Sequence, residues 1–274
     1  MAKVRQVELK AFTTLKVGGP AELWEVENEA DLKEATTEPY RVIGAGSNLL
    51  VADEGVCDRV IRLGRPFNDL ATFDGRADLW LGAGTPLPGL VRRAQRAGLS
   101  GLEGLLGVPA VVGGAVAMNA GTRFGEMSDT LQEVELFVNG ALERVPAEAL
   151  NLSYRHAELP AGAVITRVRL KFTPSTPEQV QPALDAVDTA RAGQPKVKSA
   201  GCAFKNPAGD SAGRIIDQAG LKGLRVGDAM VAHEHGNFVL NLGDATSAEV
   251  EELLRQVQSK VPVPLEMEWR RWGC

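Results

Sequence analysis

The chain has 274 residues, a formal net charge of -5 and 44 % hydrophobic residues, the composition of an ordinary globular protein. Aromatic residues make up 5 % and there is no basic excess, so nucleic acid is not an expected partner. No apolar leader is seen and no apolar run reaches the ~18 residues of a membrane span, which predicts a cytoplasmic protein without membrane insertion.

The stretch from 21 to 145 predicts short strands separated by glycine-rich loops. The predicted strands are AELWEVEN, YRVIGAG, DRVIRL, DLWLGAG and LQEVELFV. The pair Asn139-Gly140 after the last of them is a strong hairpin signal. One helix is predicted from Pro86 to Ala97, with Thr85 as its N-cap and Gly98 as its stop. This half is therefore predicted to be mixed α+β.

A domain boundary is predicted after the strand Ala163 to Phe172. The segment TPSTPEQ combines prolines with small polar residues, and it predicts a division into domains 1–175 and 176–274. At Thr246 a capping box with Glu249 predicts the start of a helix. The other elements predicted beyond the boundary are helices over Glu178–Ala192 and Ser211–Ala219, and strands near LRVGDAMVA, NFVLNL and PLEMEWR.

The three cysteines, Cys57, Cys202 and Cys274, are odd in number and far apart in the chain. No C-x-x-C pair accompanies them, which argues against a disulfide framework and against a zinc site. We therefore expect reduced thiols, a reducing compartment and no bound metal. From the residues alone, Cys202 is open to four interpretations: a small packing residue, a redox thiol, a metal ligand or a proton donor.

Three glycine-rich loops fall in the first half: GAGSN (44–48), GAGT (82–85) and GVPAVVGGAVAMNAG (107–121). Glycine permits positive φ and a close approach of backbone N–H groups to an anion, so such loops can hold phosphates. The alternative is a set of tight turns, but three loops together favour a ligand. A Rossmann dinucleotide unit is excluded, because Gly44-Ala45-Gly46 is followed by no third glycine.

Eight segments in order are similar to the UDP-N-acetylenolpyruvoylglucosamine reductase (MurB) family of flavoenzymes. They are TTLKVGGPAELW, GAGSNLLVADEG, GLEGLLGVPAVVGGAVAMNAGTRFGE, SYRHAEL, SAGCAFKNP, SAGRIIDQAGLKG, HGNFVLN and LEMEWR, and they extend over about residues 11 to 270. The resemblance implies an α+β fold: an FAD-binding portion of two subdomains of the vanillyl-alcohol oxidase (PCMH) type, then a smaller α+β substrate-binding domain. The short connection into SYRHAEL resembles the compact variant that lacks a tyrosine-bearing loop.

The resemblance implies that NADPH, as co-substrate, reduces FAD, and that the flavin then reduces a UDP-sugar enolpyruvyl ether to UDP-N-acetylmuramate for peptidoglycan. Arg155 would hold the substrate carboxylate where negative charge develops. Glu268 would support proton delivery. It is preferred over Glu266 because it precedes Trp269-Arg270, where the family more usually has Val-Arg. Cys202 falls where the family usually has serine; because a thiol (pKa ~8.5) is a stronger acid than a hydroxyl, it would donate the proton.

The remaining implied contacts fall into a cofactor set and a substrate set. The cofactor-binding residues would be Gly44, Ala45, Gly46, Ser47, Asn48, Leu49, Gly107, Val108, Pro109, Gly113, Gly114, Asn119, Ala120 and Gly121. The substrate-binding residues would be Arg191, Lys205, Asn206, His235 and Asn237, for which a solvated surface is the alternative. Two other functions compete: an oxidase of the same flavoprotein superfamily, and a catalytically inert flavin- or nucleotide-binding module.

Overall fold

The computed structural model describes residues 2–195 and 197–274. These residues form two compact units that interleave along the chain. Unit 1 consists of the residues up to Lys3, Trp24–Gly44 and Ile61–Ala192, and unit 2 consists of Val4–Leu23, Ala45–Val60 and Gly193–Cys274. The predicted domains 1–175 and 176–274 concern where the cofactor and the substrate bind, and that division stays a prediction.

Helices and strands alternate in short elements throughout. The helices are α1 Glu29–Ala35, α2 Leu87–Arg96, α3 Val112–Ala117, α4 Pro177–Arg191, α5 Ala212–Gln218 and α6 Ser247–Lys260. The strands are β1 Lys3–Glu8, β2 Pro20–Val26, β3 Tyr40–Val42, β4 Leu49–Val51, β5 Arg59–Leu63, β6 Asp78–Gly82, β7 Leu99–Ser100, β8 Gly121–Thr122, β9 Gly125–Glu126, β10 Leu131–Val138, β11 Ala141–Pro146, β12 Val164–Lys171, β13 Thr173–Pro174, β14 Ser199–Cys202, β15 Arg225–Val226, β16 Ala229–Val231, β17 Phe238–Asn241 and β18 Arg270–Trp272. No helix among the described residues has the length and apolarity that crossing a membrane requires.

An antiparallel sheet of order β11-β10-β12-β6 organises unit 1. The predicted hairpin is confirmed: Asn139 (φ 52°) and Gly140 (φ 80°) join β10 to β11, and both have the positive φ of a type I′ turn. Val134 and Val168 of this sheet are fully buried in one core with Leu90 of α2. The alternation of apolar residues along the strands therefore places this core on one face of the sheet.

Helix α2 is one residue shorter at each end than the predicted Pro86–Ala97. Its N-cap is Pro86 and not Thr85. The Thr85 hydroxyl is fully buried and accepts a hydrogen bond of 2.9 Å from the backbone N–H of Asp69, so a tertiary contact has taken the predicted cap. Gly98, with φ 68°, follows the C-cap residue Ala97 and ends the helix as predicted.

Unit 2 contains a sheet of order β14-β17-β16-β15 with α5 and α6 contributing to its core. The predicted capping box at α6 is confirmed, since Thr246 Oγ1 accepts from Glu249 N–H and the Glu249 carboxylate accepts from Thr246 N–H, each at 3.1 Å. The predicted strand region LRVGDAMVA is divided into β15 and β16 by Gly227, whose φ of 53° allows the chain to reverse. Val231 and Leu253 are buried in the shared core.

Two expectations for the final segment are wrong. PLEMEWR does not form one strand: Met267 makes a single bridge to Phe204, and β18 begins only at Arg270. Strand β18 pairs in parallel with β4, and beyond this pairing Cys57 and Cys274 form a disulfide across a sequence separation of 217. The expectation of reduced thiols is therefore wrong for Cys57 and Cys274, which are too far apart in the sequence for a local pattern to indicate the bond. Cys202 keeps its thiol.

Candidate active site

Arg155 is held in unit 1 by both its backbone and its side chain. It lies in a turn in which Ser153 and His156 exchange two backbone hydrogen bonds of 3.0 Å. Its φ of 57° is in the left-handed region, which is uncommon for a residue other than glycine. The half-buried guanidinium donates from Nη2 to the carbonyl oxygen of Gly121 at 2.7 Å. The predicted catalytic arginine is thus fixed beside a predicted cofactor residue.

Asn119 supports the same turn. It is fully buried with φ 40°, its Nδ2 donates to Ser153 O at 3.2 Å, and its Oδ1 accepts from Ser128 N–H at 3.0 Å. The side-chain amide therefore links the turn of Arg155 to the backbone near Ser128, a role that the sequence did not reveal. The predicted contact between Asn119 and the cofactor stays a prediction.

The segment Gly107–Gly121 is not one continuous loop, because α3 lies inside it. Gly113 donates from its N–H to Ala83 O at 2.8 Å, and a Cβ at Gly113 would lie 2.7 Å from Ala83 Cβ, so glycine allows α3 to approach Ala83. Arg191, predicted to bind substrate, donates from Nη2 to Gly107 O at 3.0 Å. This guanidinium therefore helps to hold the segment, and a substrate contact for Arg191 stays a prediction.

The first predicted cofactor segment, Gly44–Leu49, begins in unit 1 and continues in unit 2. In unit 1, a Cβ at Gly44 would lie 2.9 Å from Val111 Cγ2, so Gly44 packs closely against the second segment. In unit 2, Gly46 has φ 63°, and a Cβ there would overlap the carbonyl oxygen of Phe12. Only glycine combines this backbone conformation with this packing.

Thr14 provides an independent test of whether this segment suits a polar ligand. Its backbone N–H donates to Gly46 O at 3.1 Å. Its Oγ1 is buried, and among the described residues it has no hydrogen-bond partner. Because such an atom is costly unless something bonds to it, a bound group rich in oxygen acceptors, such as FAD, fits the segment. The sequence reasoning missed Thr14, although it lies in the family-like segment TTLKVGGPAELW.

Cys202 and Glu268 lie on neighbouring stretches of backbone in unit 2. Cys202 is the final residue of β14, and the next residue, Ala203, accepts a 2.8 Å hydrogen bond at its carbonyl from Glu268 N–H. Two residues further, Lys205 N–H donates to Glu266 O at 2.8 Å. These bonds join the SAGCAFKNP and LEMEWR segments, two of the motifs on which the sequence prediction depended.

The two acidic residues of LEME have different surroundings. The Glu266 side chain is 73 % exposed and forms an ion pair of 2.7 Å with Lys205. Glu268 is half-buried, and its carbonyl oxygen accepts from Asn48 Nδ2 at 3.1 Å. The choice of Glu268 over Glu266 as the acid of the site stays a prediction. The side chain of Asn48, predicted to touch the cofactor, connects the Gly44–Leu49 segment to Glu268.

The two lysines that flank Cys202 in the sequence have partners of their own. Lys198 Nζ donates to Gly243 O at 2.8 Å, and Lys205 pairs with Glu266 as described. Both ammonium groups are thus engaged by oxygen acceptors.

Three predicted substrate residues make structural contacts near Cys202. The buried side chain of Asn237 accepts from Phe204 N–H at 3.0 Å and donates to Phe204 O at 2.8 Å. His235 Nδ1 accepts from Asn237 N–H at 3.2 Å, and burial, followed by the charge of Lys222, lowers the pKa of His235. Asn206 Oδ1 accepts from the N–H of Ala212, the first residue of α5. Their substrate contacts stay predictions.

Two protein-family models match most of the chain. An FAD binding domain model matches residues 19–142, and a model of the UDP-N-acetylenolpyruvoylglucosamine reductase C-terminal domain matches residues 194–271. The reductase of a Thermus thermophilus strain is 60 % identical over 270 residues, which is 98 % of this chain and 99 % of the relative. The reductase of Deinococcus radiodurans is 50 % identical over 279 residues, covering 99 % and 96 % of the two chains.

A solved structure shows the same fold along the whole chain. The crystal structure of UDP-N-acetylenolpyruvylglucosamine reductase (MurB) from Thermus caldophilus superimposes with a TM-score of 0.95 at 59 % identity, covering 100 % of both chains. The predicted fold class, an α+β FAD-binding portion followed by a C-terminal α+β domain, is thereby confirmed. On the matched models and on identity over nearly its full length, the chain belongs to the UDP-N-acetylenolpyruvoylglucosamine reductase (MurB) family.

Proposed function

We propose that this chain reduces UDP-N-acetylenolpyruvoylglucosamine to UDP-N-acetylmuramate in the cytoplasm, with NADPH as reductant and Cys202 as proton donor. FAD-dependent reduction of the enolpyruvyl sugar, a step of peptidoglycan synthesis, follows from membership of the family at 60 % identity. The observation that carries the role of Cys202 is the backbone pairing of the residues that directly follow it, from Ala203 to Lys205, with the segment of Glu268. That pairing supports two groups acting on one proton transfer.

FAD, when bound, supplies hydride transfer, and we assign its binding to the segments Gly44–Leu49 and Gly107–Gly121. Reduction of the enolpyruvyl double bond spreads negative charge over the α-carbon and the carboxylate of the substrate. We assign Arg155 to that carboxylate, because a guanidinium forms short, charge-assisted hydrogen bonds with carboxylates. Its backbone turn and its bond to Gly121 O fix it before the substrate arrives, which lowers the reorganisation needed in the transition state.

The product also requires a proton at the α-carbon, and we assign its transfer to the Cys202 thiol. A neutral thiol donates a proton more readily than the serine hydroxyl usual at this position. We assign the half-buried Glu268 to the support of this proton delivery. The expected substrate contacts of Lys205, Asn206, His235 and Asn237 belong to the same proposal.

The proposal is tested by following the flavin absorbance of the purified holoprotein without oxygen. NADPH should bleach the flavin, and the enolpyruvyl UDP-sugar should then restore it, whereas UDP-N-acetylglucosamine, which lacks the enolpyruvyl double bond, should not. NADH in place of NADPH tests the reductant. Recovery with oxygen but not with the sugar would favour the oxidase alternative. A chain that holds no flavin after FAD is added would favour the inert module.

A further inference from the structure

Thr14 combines two features that a structural loop residue does not normally have. Its backbone N–H donates a hydrogen bond of 3.1 Å to Gly46 O, so the residue lies next to the Gly44–Leu49 segment. Its hydroxyl oxygen is buried and, within residues 2–195 and 197–274, has no hydrogen-bond partner. The adjacent Thr13 shows the ordinary case, because its buried hydroxyl donates to Val17 O at 2.9 Å.

The buried hydroxyl indicates a ligand, because a polar atom removed from water without a partner is unfavourable and is rare in folded proteins. Gly46 packs closely against Phe12, two residues before Thr14. A Cβ on Gly46 would overlap Phe12 O, so the stretch that carries Thr14 is in tight contact with the glycine segment.

We infer that the Thr14 hydroxyl donates a hydrogen bond to an oxygen of the bound FAD. A threonine hydroxyl has one donor and suits a phosphate or carbonyl oxygen, and both are present in FAD. The matched FAD binding domain model begins at residue 19, so the comparison that identifies the cofactor does not include this residue. The inference rests on FAD binding as stated in the proposed function, and it adds a positioning residue in front of the matched region.

The test uses the purified holoprotein and its Thr14→Val and Thr14→Ser variants. Valine keeps the shape but removes the hydroxyl, whereas serine keeps the hydroxyl. FAD dissociation is followed on dilution by the recovery of flavin fluorescence, and circular dichroism checks the fold. We expect Thr14→Val to weaken FAD binding about 10- to 100-fold, the range for a hydrogen bond to a charged acceptor, and Thr14→Ser to stay within about threefold of the parent.

The position of the accepting oxygen is read from the flavin spectrum of the bound cofactor. A loss of affinity with an unchanged absorbance maximum supports a phosphate oxygen, and a loss with a shifted maximum supports a carbonyl of the flavin ring. Thr14→Ala serves as a second variant if valine does not fold.

Three outcomes overturn the inference. FAD dissociation that is equal in the parent, Thr14→Val and Thr14→Ala means that water or protein bonds to the hydroxyl. A raised KM for the UDP-sugar with unchanged FAD affinity assigns Thr14 to the substrate. Equal losses in the serine and valine variants assign the effect to the methyl group. By contrast, a parent protein that binds no FAD removes the proposed function itself.

Discussion

The two units hold their candidate chemical groups in different ways. In unit 1, Arg155 lies in a turn with a left-handed backbone, and its own guanidinium bonds the protein at Gly121 O. In unit 2, Cys202 and Glu268 are placed by backbone hydrogen bonds of their segments, such as Glu268 N–H to Ala203 O. A substitution of Arg155 therefore changes scaffold and chemistry together, whereas a substitution of Cys202 should change the chemistry alone.

The largest expected effect tests that separation directly. We expect Cys202→Ala to slow reoxidation of the flavin by the UDP-sugar about 10²- to 10⁴-fold, the usual contribution of a general acid. Flavin reduction by NADPH and the folded structure should be unchanged, and Cys202→Ser should retain much of the activity because a hydroxyl is still a donor. Stopped-flow measurement of both half-reactions checks this. Equal slowing of the two half-reactions would exclude the proton-donor role.

The second largest expected effect concerns the disulfide between Cys57 and Cys274 in unit 2. Its removal in Cys57→Ser should lower the free energy of unfolding by about 2–5 kcal/mol, because the bond closes a loop with a sequence separation of 217. Urea unfolding with and without reductant measures this, and Cys202→Ser is the matched control, since Cys202 is outside the bond. A reductant effect that survives in Cys57→Ser would show that the disulfide is not its source.

The same bond tests the proposed cytoplasmic location, since disulfides are rare in reducing compartments. Rapid alkylation in acid-quenched cells, followed by mass spectrometry of peptides containing Cys57, reports its state before purification. A reduced pair in the cell agrees with our expectation for a reducing cytoplasm and means that the bond forms later. A fully oxidised pair in the cell contradicts that expectation.

In unit 1, Asn119 should couple stability to the position of Arg155. Asn119→Gly retains a residue that adopts φ 40° without strain but removes both amide hydrogen bonds, so we expect a loss of about 1–3 kcal/mol in unfolding free energy. Reoxidation by the UDP-sugar should slow because the turn of Arg155 loosens, and FAD affinity, measured separately, tests the predicted cofactor contact of Asn119. Weaker FAD binding with a normal rate of reoxidation would instead identify Asn119 as a cofactor residue.

The smallest expected effect concerns His235 in unit 2. Its folded pKa is lowered mainly by burial, so the unfolded chain binds the proton more readily. The contribution of neutral His235 to the free energy of unfolding is fully present above the unfolded pKa of ~6.5. It is lost as the pH falls from there through the pKa of His235 in the folded chain. The free energy of unfolding, measured between pH 7.5 and 5.5, should therefore depend less on pH in His235→Gln than in the parent. The exposed His233, substituted in the same way, is the control, and equal changes in both would contradict the assignment.

Features that depend on neighbours in the sequence were predictable. The turn at Asn139-Gly140 and the capping box at Thr246 each follow from a few adjacent residues, and both are confirmed. Thr85 shows where this fails, because its hydroxyl bonds to Asp69 and not to the first turn of α2. Gly227 interrupts a stretch that reads as continuous strand, because glycine permits a reversal without requiring one.

The sequence indicated the residues of the candidate site but not the long-range bonds that hold their segments in place. Motif order pointed to Arg155, Cys202 and Glu268, and their catalytic roles stay predictions. The bond from Asn48 to Glu268 O joins residues 220 positions apart, and the bond between Cys57 and Cys274 is equally remote. No local pattern encodes such pairs, because only the folded backbone brings them together.

The pairing of β4 with β18 has a consequence for synthesis on the ribosome. Every residue of unit 1 has been made once Ala192 is added, whereas the sheet partner of Leu49–Val51 is made only with Arg270–Trp272. At 5–20 residues per second, the sequence separation of 217 between Cys57 and Cys274 corresponds to on the order of 10 to 40 s. During that interval the apolar residues of the early stretches, including Leu15 and Leu50, lack most of their core partners. The nascent chain should therefore be a substrate for ribosome-associated chaperones before it is an enzyme.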